Sequence, residues 1–158
     1  MFKKILVCLD GSELAEKVIP YAVEEALRFD SEVVLFRAIS EAYLISLALP
    51  GIPGTPINAV GTETLEIQEE KEAGKYLKTM AEKLQTEKNL RVSFETAIGS
   101  AGPAIIEVCE REEIELVAIA THGRSGPGRV ILGSVADHVI RHSRLPILLI
   151  RPIDEKSK

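Results

Sequence analysis

Five short apolar runs, six to eight residues each, recur along the chain with helix-patterned segments between them, and this alternation constrains the fold more than any other feature. The runs are Lys4–Leu9, Glu32–Ile39, Leu90–Ala97, Glu115–Ala120 and Leu145–Ile150. Runs this short and this apolar read as strands buried on both faces, a property of parallel sheets. Between the first two, Ser12 before Glu13 offers a helix N-cap, and Leu14, Val18, Tyr21, Ala22 and Leu27 keep a helical period to Arg28. A longer helix from about Thr62 carries Ala73, Tyr76, Leu77, Met80, Ala81 and Leu84 on one face. A third opens at Gly102-Pro103 and runs through Ile105, Val108 and Cys109, and a fourth spans Ser134 to His142. Strands alternating with helices in this way specify an α/β architecture: one mainly parallel sheet covered by helices on both faces.

Two segments break the rhythm. Pro20 falls inside the first helix, where it removes a hydrogen bond and should kink the axis. Residues 41 to 61, EAYLISLALPGIPGTPINAVG, form a long connection rich in proline and glycine; connections of this length usually serve as lids or contact surfaces, or are disordered. At 158 residues the chain fits one domain, expected over residues 1–152, with a polar tail at 153–158. Aromatic residues make up only 4% and Trp is absent, which with a net charge of −5 argues against nucleic-acid binding by base stacking. No apolar run approaches the roughly 18 residues of a membrane span, and the start lacks a secretory pattern, so a cytoplasmic protein is expected. Cys8 and Cys109 lie inside apolar patterns and are expected to be buried, inert thiols.

The stretch Thr121 to Ser134, THGRSGPGRVILGS, holds Gly123, Gly126, Gly128 and Gly133 and runs directly from the fourth strand into the last helix. Ligands in such sheets bind beyond the carboxyl ends of strands, where the strand order reverses, and Asp10 leaves the carboxyl end of the first strand in the same way. Glycines that expose backbone N–H groups, followed by a helix N-terminus, suit a phosphate chain. Thr121 to Pro152 contains five arginines and one acid, a local charge of +4 in an otherwise acidic chain. Gly128 to Ser134 has P-loop spacing but Ser where Lys is required, and the dinucleotide pattern fails at Ile131. Glycines that merely turn the chain, and arginines that merely face solvent, are the alternatives on spacing alone.

Several motifs together resemble the universal stress protein family. They are Ile5 to Ser12 (ILVCLDGS), Gly99 with Pro103-Ala104, Thr121 to Gly126 (THGRSG), Gly133 to Ala136 (GSVA) and Pro146-Ile147-Leu148, and the likeness covers about residues 3 to 152. In the ATP-binding branch of that family the loop reads G-x-x-G, nine residues, then G-[ST]; Gly123, Gly133 and Ser134 match, and Ala120 stands where the first glycine falls. The resemblance implies a Rossmann-like single open five-stranded sheet with strand order 3-2-1-4-5. It implies ATP as ligand, or ADP or AMP, with Mg²⁺ held through the nucleotide and Asp10. Asp10 would bond the ribose hydroxyls or the metal, Leu9 would line the pocket, and Ala38 would offer backbone groups to the adenine edge. Gly123, Gly133, Ser134 and Val135 would give N–H groups to the phosphates. Ala120, His122, Arg124 and Gly126 complete the expected site, with Arg129 a further source of positive charge; His122 is expected to orient the loop. The resemblance also implies a homodimer through the strand Leu145–Ile150.

Other groupings weigh less. Asp10 is also placed to cap the first helix. His138 and His142, four apart, have no third ligand at metal spacing and are expected to be a surface pair. No nucleophile, base and orienting acid occur in credible order, so hydrolysis is expected to be slow or absent. Three functions stay open at this point: an ATP-binding regulatory or stress-response module, favoured; a weak ATPase; and a dimeric interaction protein that binds no nucleotide.

Overall fold

A computed structural model describes residues 1–40, 59–121, 124–126 and 129–152, with backbone alone for 59–65, 124–126 and 129–131. The strands β1 (Lys4–Cys8), β2 (Glu32–Ile39), β3 (Arg91–Ile98), β4 (Leu116–Ala120) and β7 (Ile147–Ile150) form one sheet in the order β3-β2-β1-β4-β7. Every neighbouring pair is parallel. The expected order 3-2-1-4-5 therefore holds, with β7 as the fifth strand. Two strands of three residues, β5 (Arg124–Gly126) and β6 (Arg129–Ile131), pair antiparallel as a separate hairpin within the glycine-rich stretch.

Alternate side chains of the central strands feed two cores, as the period of two requires. Ile5, Val7, Val33 and Leu35 pack on one face with Val18, Ala22 and Ala26, and with Leu77 and Ala81 of α3 (Ala59–Lys88). Leu6, Val34, Phe36 and Val117 pack on the other with Ile105 and Val108 of α4 (Ala101–Arg111) and with Ala136 and Val139 of α5 (Ser134–His142). Phe36, Ile5, Leu6 and Leu77 are fully buried, each contributing about 1.5–3 kcal/mol of hydrophobic stabilisation.

The single kinked helix expected from Glu13 to Arg28 is instead two helices, α1 (Glu13–Glu16) and α2 (Ile19–Phe29). Pro20 has no N–H for the carbonyl of Glu16, and a proline ring crowds that carbonyl in a continuous helix, so carrying the helix through it is costly and the chain breaks it instead. The chain tightens through Lys17 N–H to Leu14 O (3.1 Å) and Val18 N–H to Ala15 O (3.2 Å), then restarts with Pro20 in the first turn of α2. Helix α3 begins at Ala59, ahead of the expected Thr62; the rest of the irregular connection, 41–58, lies outside the described residues. Strand β7 begins at Ile147 because Leu145 and Pro146 form its approach, Pro146 contributing only a carbonyl, which accepts from Val117 N–H at 3.1 Å. No helix among the described residues is long and apolar enough to cross a membrane.

Candidate functional site

The sheet order reverses at β1, which lies between β2 and β4, and the candidate site sits at the carboxyl ends of these three strands. Beyond β1, Leu9 N–H still bonds Phe36 O at 2.8 Å, and the chain then turns at Gly11 with φ +84°. A side chain there would be strained by that φ, and its Cβ would meet Arg37 Nη1 at 3.0 Å. Asp10 Oδ1 accepts from Ser12 N–H at 2.8 Å, and Ser12 Oγ accepts from Ala15 N–H at 3.1 Å. Ser12 is thus the N-cap of α1, as its sequence position suggests, while Asp10 shapes the turn and keeps an exposed carboxylate at the end of β1.

The same turn is braced from behind. The Arg37 guanidinium lies 5.8 Å from the ring centroid of Tyr76, within cation–π range, and Tyr76 donates its hydroxyl to Glu16 Oε1 at 2.8 Å. Burial and this bond push the Tyr76 hydroxyl well above its ordinary range. Neither Arg37 nor Tyr76 carries a sequence motif that announces the contact.

A cleft of about 100 Å³ opens here, with Leu9, Asp10, Ala38, Ala120, Val135 and Ala101 among its walls and Cys8, Phe36 and Ile105 at its base. Five of the residues expected in the site therefore meet in one cavity. Its volume is below the roughly 300–1,000 Å³ of pockets that enclose a whole small-molecule ligand, so these walls would hold one part of such a ligand. The beginning of α5 stands beside it. Gly133 is the N-cap residue, no side chain among the described residues caps the helix, and the first intrahelical bond is Asp137 N–H to Gly133 O at 2.9 Å. The N–H groups of Ser134, Val135 and Ala136 thus stand at the positive end of a nine-residue helix, with Ser134 exposed and Val135 lining the cleft.

At Gly133 the structure differs from the expected arrangement. Its backbone (φ −60°, ψ 151°) is extended and open to any residue, and among the described residues an added Cβ would touch only Thr121 Oγ1, at 3.5 Å. Its N–H is given to Thr121 Oγ1 at 3.1 Å. Ala120 is half-buried at the cleft, and positive φ among described non-glycine residues is confined to Asp30, Asn89 and Glu113, so the alanine sits without backbone strain. Arg124 and Gly126 lie on β5, where Arg124 pairs with Ile131 and Gly126 with Arg129; side-chain positions there, and all of His122, Gly123 and Gly128, lie outside the described residues. Of the five arginines in this region, Arg141 is committed elsewhere, bonding Asp137 at 2.8 Å.

The histidines form a packing pair. Their rings stack at 4.1 Å, and His142 Nδ1 donates to the His138 carbonyl at 2.8 Å. Among the described residues no three His, Cys, Asp or Glu side chains gather as a metal site. Cys8 and Cys109 are buried and free, as expected; burial pushes the Cys8 thiol far up and, with Glu110, raises Cys109 to about 11.

The universal stress protein family model matches residues 1–151 of the chain. The chain belongs to the universal stress protein family. Universal stress protein MJ0531 of Methanocaldococcus jannaschii is 29% identical over 151 residues, covering 96% of this chain and 83% of that protein. The solved structure of MJ0577 shares the fold at TM-score 0.74 and 23% identity, covering 98% of this chain and 99% of that one. A universal stress protein family protein from Arabidopsis thaliana, solved with AMP bound, shares it at TM-score 0.65 and 12% identity, covering 99% and 95%.

Proposed function

We propose that the cleft is an adenine-nucleotide site and that the chain is an ATP-binding regulatory module of its family, cytoplasmic and homodimeric, with slow or no ATP hydrolysis. The observation that carries this reading is the meeting, at the reversal of strand order, of an exposed carboxylate and a helix N-terminus that no described side chain caps. AMP in the Arabidopsis protein of the same fold supports the choice of ligand.

In this reading the ribose lies against Asp10, whose carboxylate accepts its hydroxyls or helps to hold Mg²⁺. A single carboxylate with nucleotide phosphates is a donor set that suits Mg²⁺, which keeps most of its water. Leu9 and Ala38 flank the base, the Ala38 backbone facing its polar edge. The phosphates meet Ser134 and Val135 N–H, with the Ser134 hydroxyl beside them, and Ala120, His122, Gly123, Arg124 and Gly126 close the loop side. Apart from Asp10, which this reading assigns to the ribose or Mg²⁺, the described walls are apolar and offer no further base to activate a water molecule.

Calorimetric titration of nucleotide-stripped protein with Mg-ATP, ADP, AMP and adenosine tests the proposal. Saturable heat with each phosphate-bearing ligand is expected, weakened in Asp10→Ala. Absence of both heat and thermal shift in the parent would refute it and leave the dimeric, nucleotide-free alternative.

A further inference from the structure

Thr121 and Ser31 are the only buried polar or charged residues among those described, and Thr121 is 4% exposed. A hydroxyl at such a site is retained only when it is hydrogen-bonded. Thr121 is held from two sides. Its N–H donates to Ile150 O at 2.9 Å, continuing the pairing of β4 with β7, and its Oγ1 accepts from Gly133 N–H at 3.1 Å. One side chain therefore ties the end of β4 to the N-cap of α5, across a twelve-residue separation that contains the hairpin β5–β6.

The tie has a geometric consequence. Ala120, adjacent to Thr121, and Val135, two residues beyond Gly133, both line the cleft. The bond sets the gap between them and the direction in which the first N–H groups of α5 point. From this we infer that Thr121 is a positioning residue for the phosphate side of the site: it keeps the Gly133 N–H in the bound state, so that Ser134 and Val135 donate to phosphate and Gly133 does not. The inference rests on the nucleotide reading above. The rival arrangement hands the Gly133 N–H over to a phosphate oxygen on binding. That would leave the Thr121 oxygen buried without its donor, a costly exchange when α5 already presents further first-turn N–H groups.

The two arrangements predict opposite signs for Thr121→Val, which keeps the shape and removes the acceptor. If Thr121 positions the helix, ADP affinity falls about fivefold while adenosine affinity stays within about twofold, and Thr121→Ser, which restores the acceptor, recovers ADP binding. Equal or tighter ADP binding by Thr121→Val would overturn the inference, as would a parallel loss for ADP and adenosine. The parent titration reports separately on the nucleotide reading: a parent that binds neither ligand refutes that reading and the positioning role with it, whereas a binding parent with an unaltered variant refutes only the role. A measurement on the parent covers the case in which Thr121→Val does not fold. Nitrogen–phosphorus coupling across hydrogen bonds in the ADP complex is expected at Ser134 or Val135, and coupling at Gly133 would overturn the inference.

Discussion

Gly102 in the first turn of α4 offers a sharp test of how the cleft is framed. A Cβ built there would lie 2.7 Å from His138 Cδ2 and Cγ and 2.9 Å from His138 Cβ. Those atoms are near the α5 backbone, and the ring is stacked at 4.1 Å on His142, so the imidazole has little freedom to swing aside. Gly102→Ala should gain about 0.5–1 kcal/mol from backbone entropy and helix propensity. Overpacking of this kind costs about 1–3 kcal/mol, so the clash wins and the variant loses about 1 kcal/mol, or about 3 °C in Tm for a domain of this size. In a His138→Ala background the obstruction is gone and the same substitution should stabilise, giving a coupling of about 1–2 kcal/mol between the two sites. Urea unfolding of the parent, both single variants and the double variant measures this directly. A Gly102→Ala protein as stable as the parent with His138 in place, or additive effects in the cycle, would refute the reasoning.

Three further outcomes are expected. Burial raises the Cys109 thiol to about 11 and the Cys8 thiol in the same direction, so both should resist a thiol reagent at pH 8 in the folded protein and react fully in denaturant. Because the folded thiols hold their protons above the unfolded value of about 8.5, their contribution to stability is complete below that pH and declines as pH rises toward the folded value, which alkaline urea titrations of the parent and Cys109→Ala would resolve. The edge strand β7 is half-buried along its whole length, and among the described strands its only neighbour in the sheet is β4. Sedimentation should therefore give twice the 17.3 kDa chain mass, and a monomer at tens of micromolar would refute the proposed dimer.

Much of the framework is written locally. Runs such as Ile5-Leu6-Val7 declare buried strands because parallel pairing under helices demands apolar residues on both faces, and Ser12 declares an N-cap because its oxygen acts within one turn. The effect of Pro20 was legible in kind but not in degree: its missing N–H weakens a helix, but whether the chain kinks or restarts depends on how Val18 and Ala22 are drawn into the core. The hairpin β5–β6 is not legible in the sequence because its strands have three residues each and sit among glycines, leaving no period to read. Contacts that join distant elements were the least legible. Nothing around Gly102 names His138, nothing around Gly11 names Arg37, and Thr121 looks like the first residue of a loop until its oxygen is found on Gly133.

The location of the cleft follows from which way two neighbouring connections leave the sheet. After β1 the chain passes to α1, whose Ala15 belongs to the core on one face. After β4 it passes through the hairpin to α5, whose Ala136 and Val139 belong to the core on the other. Adjacent parallel strands whose connections diverge must leave a gap at their carboxyl ends, and the sequence keeps it open by lining it with the small side chains of Ala15, Ala38, Ala101 and Ala120. Asp10 reaches the gap because Gly11, with its positive φ, turns the chain immediately after it. The α5 N-terminus reaches it because Thr121 anchors the N-cap to the end of β4. The two polar walls are thus set by a glycine turn and a threonine tie on neighbouring strands. On the proposed nucleotide reading, a substitution at either position would act on binding through geometry while leaving the walls of the cleft chemically unchanged.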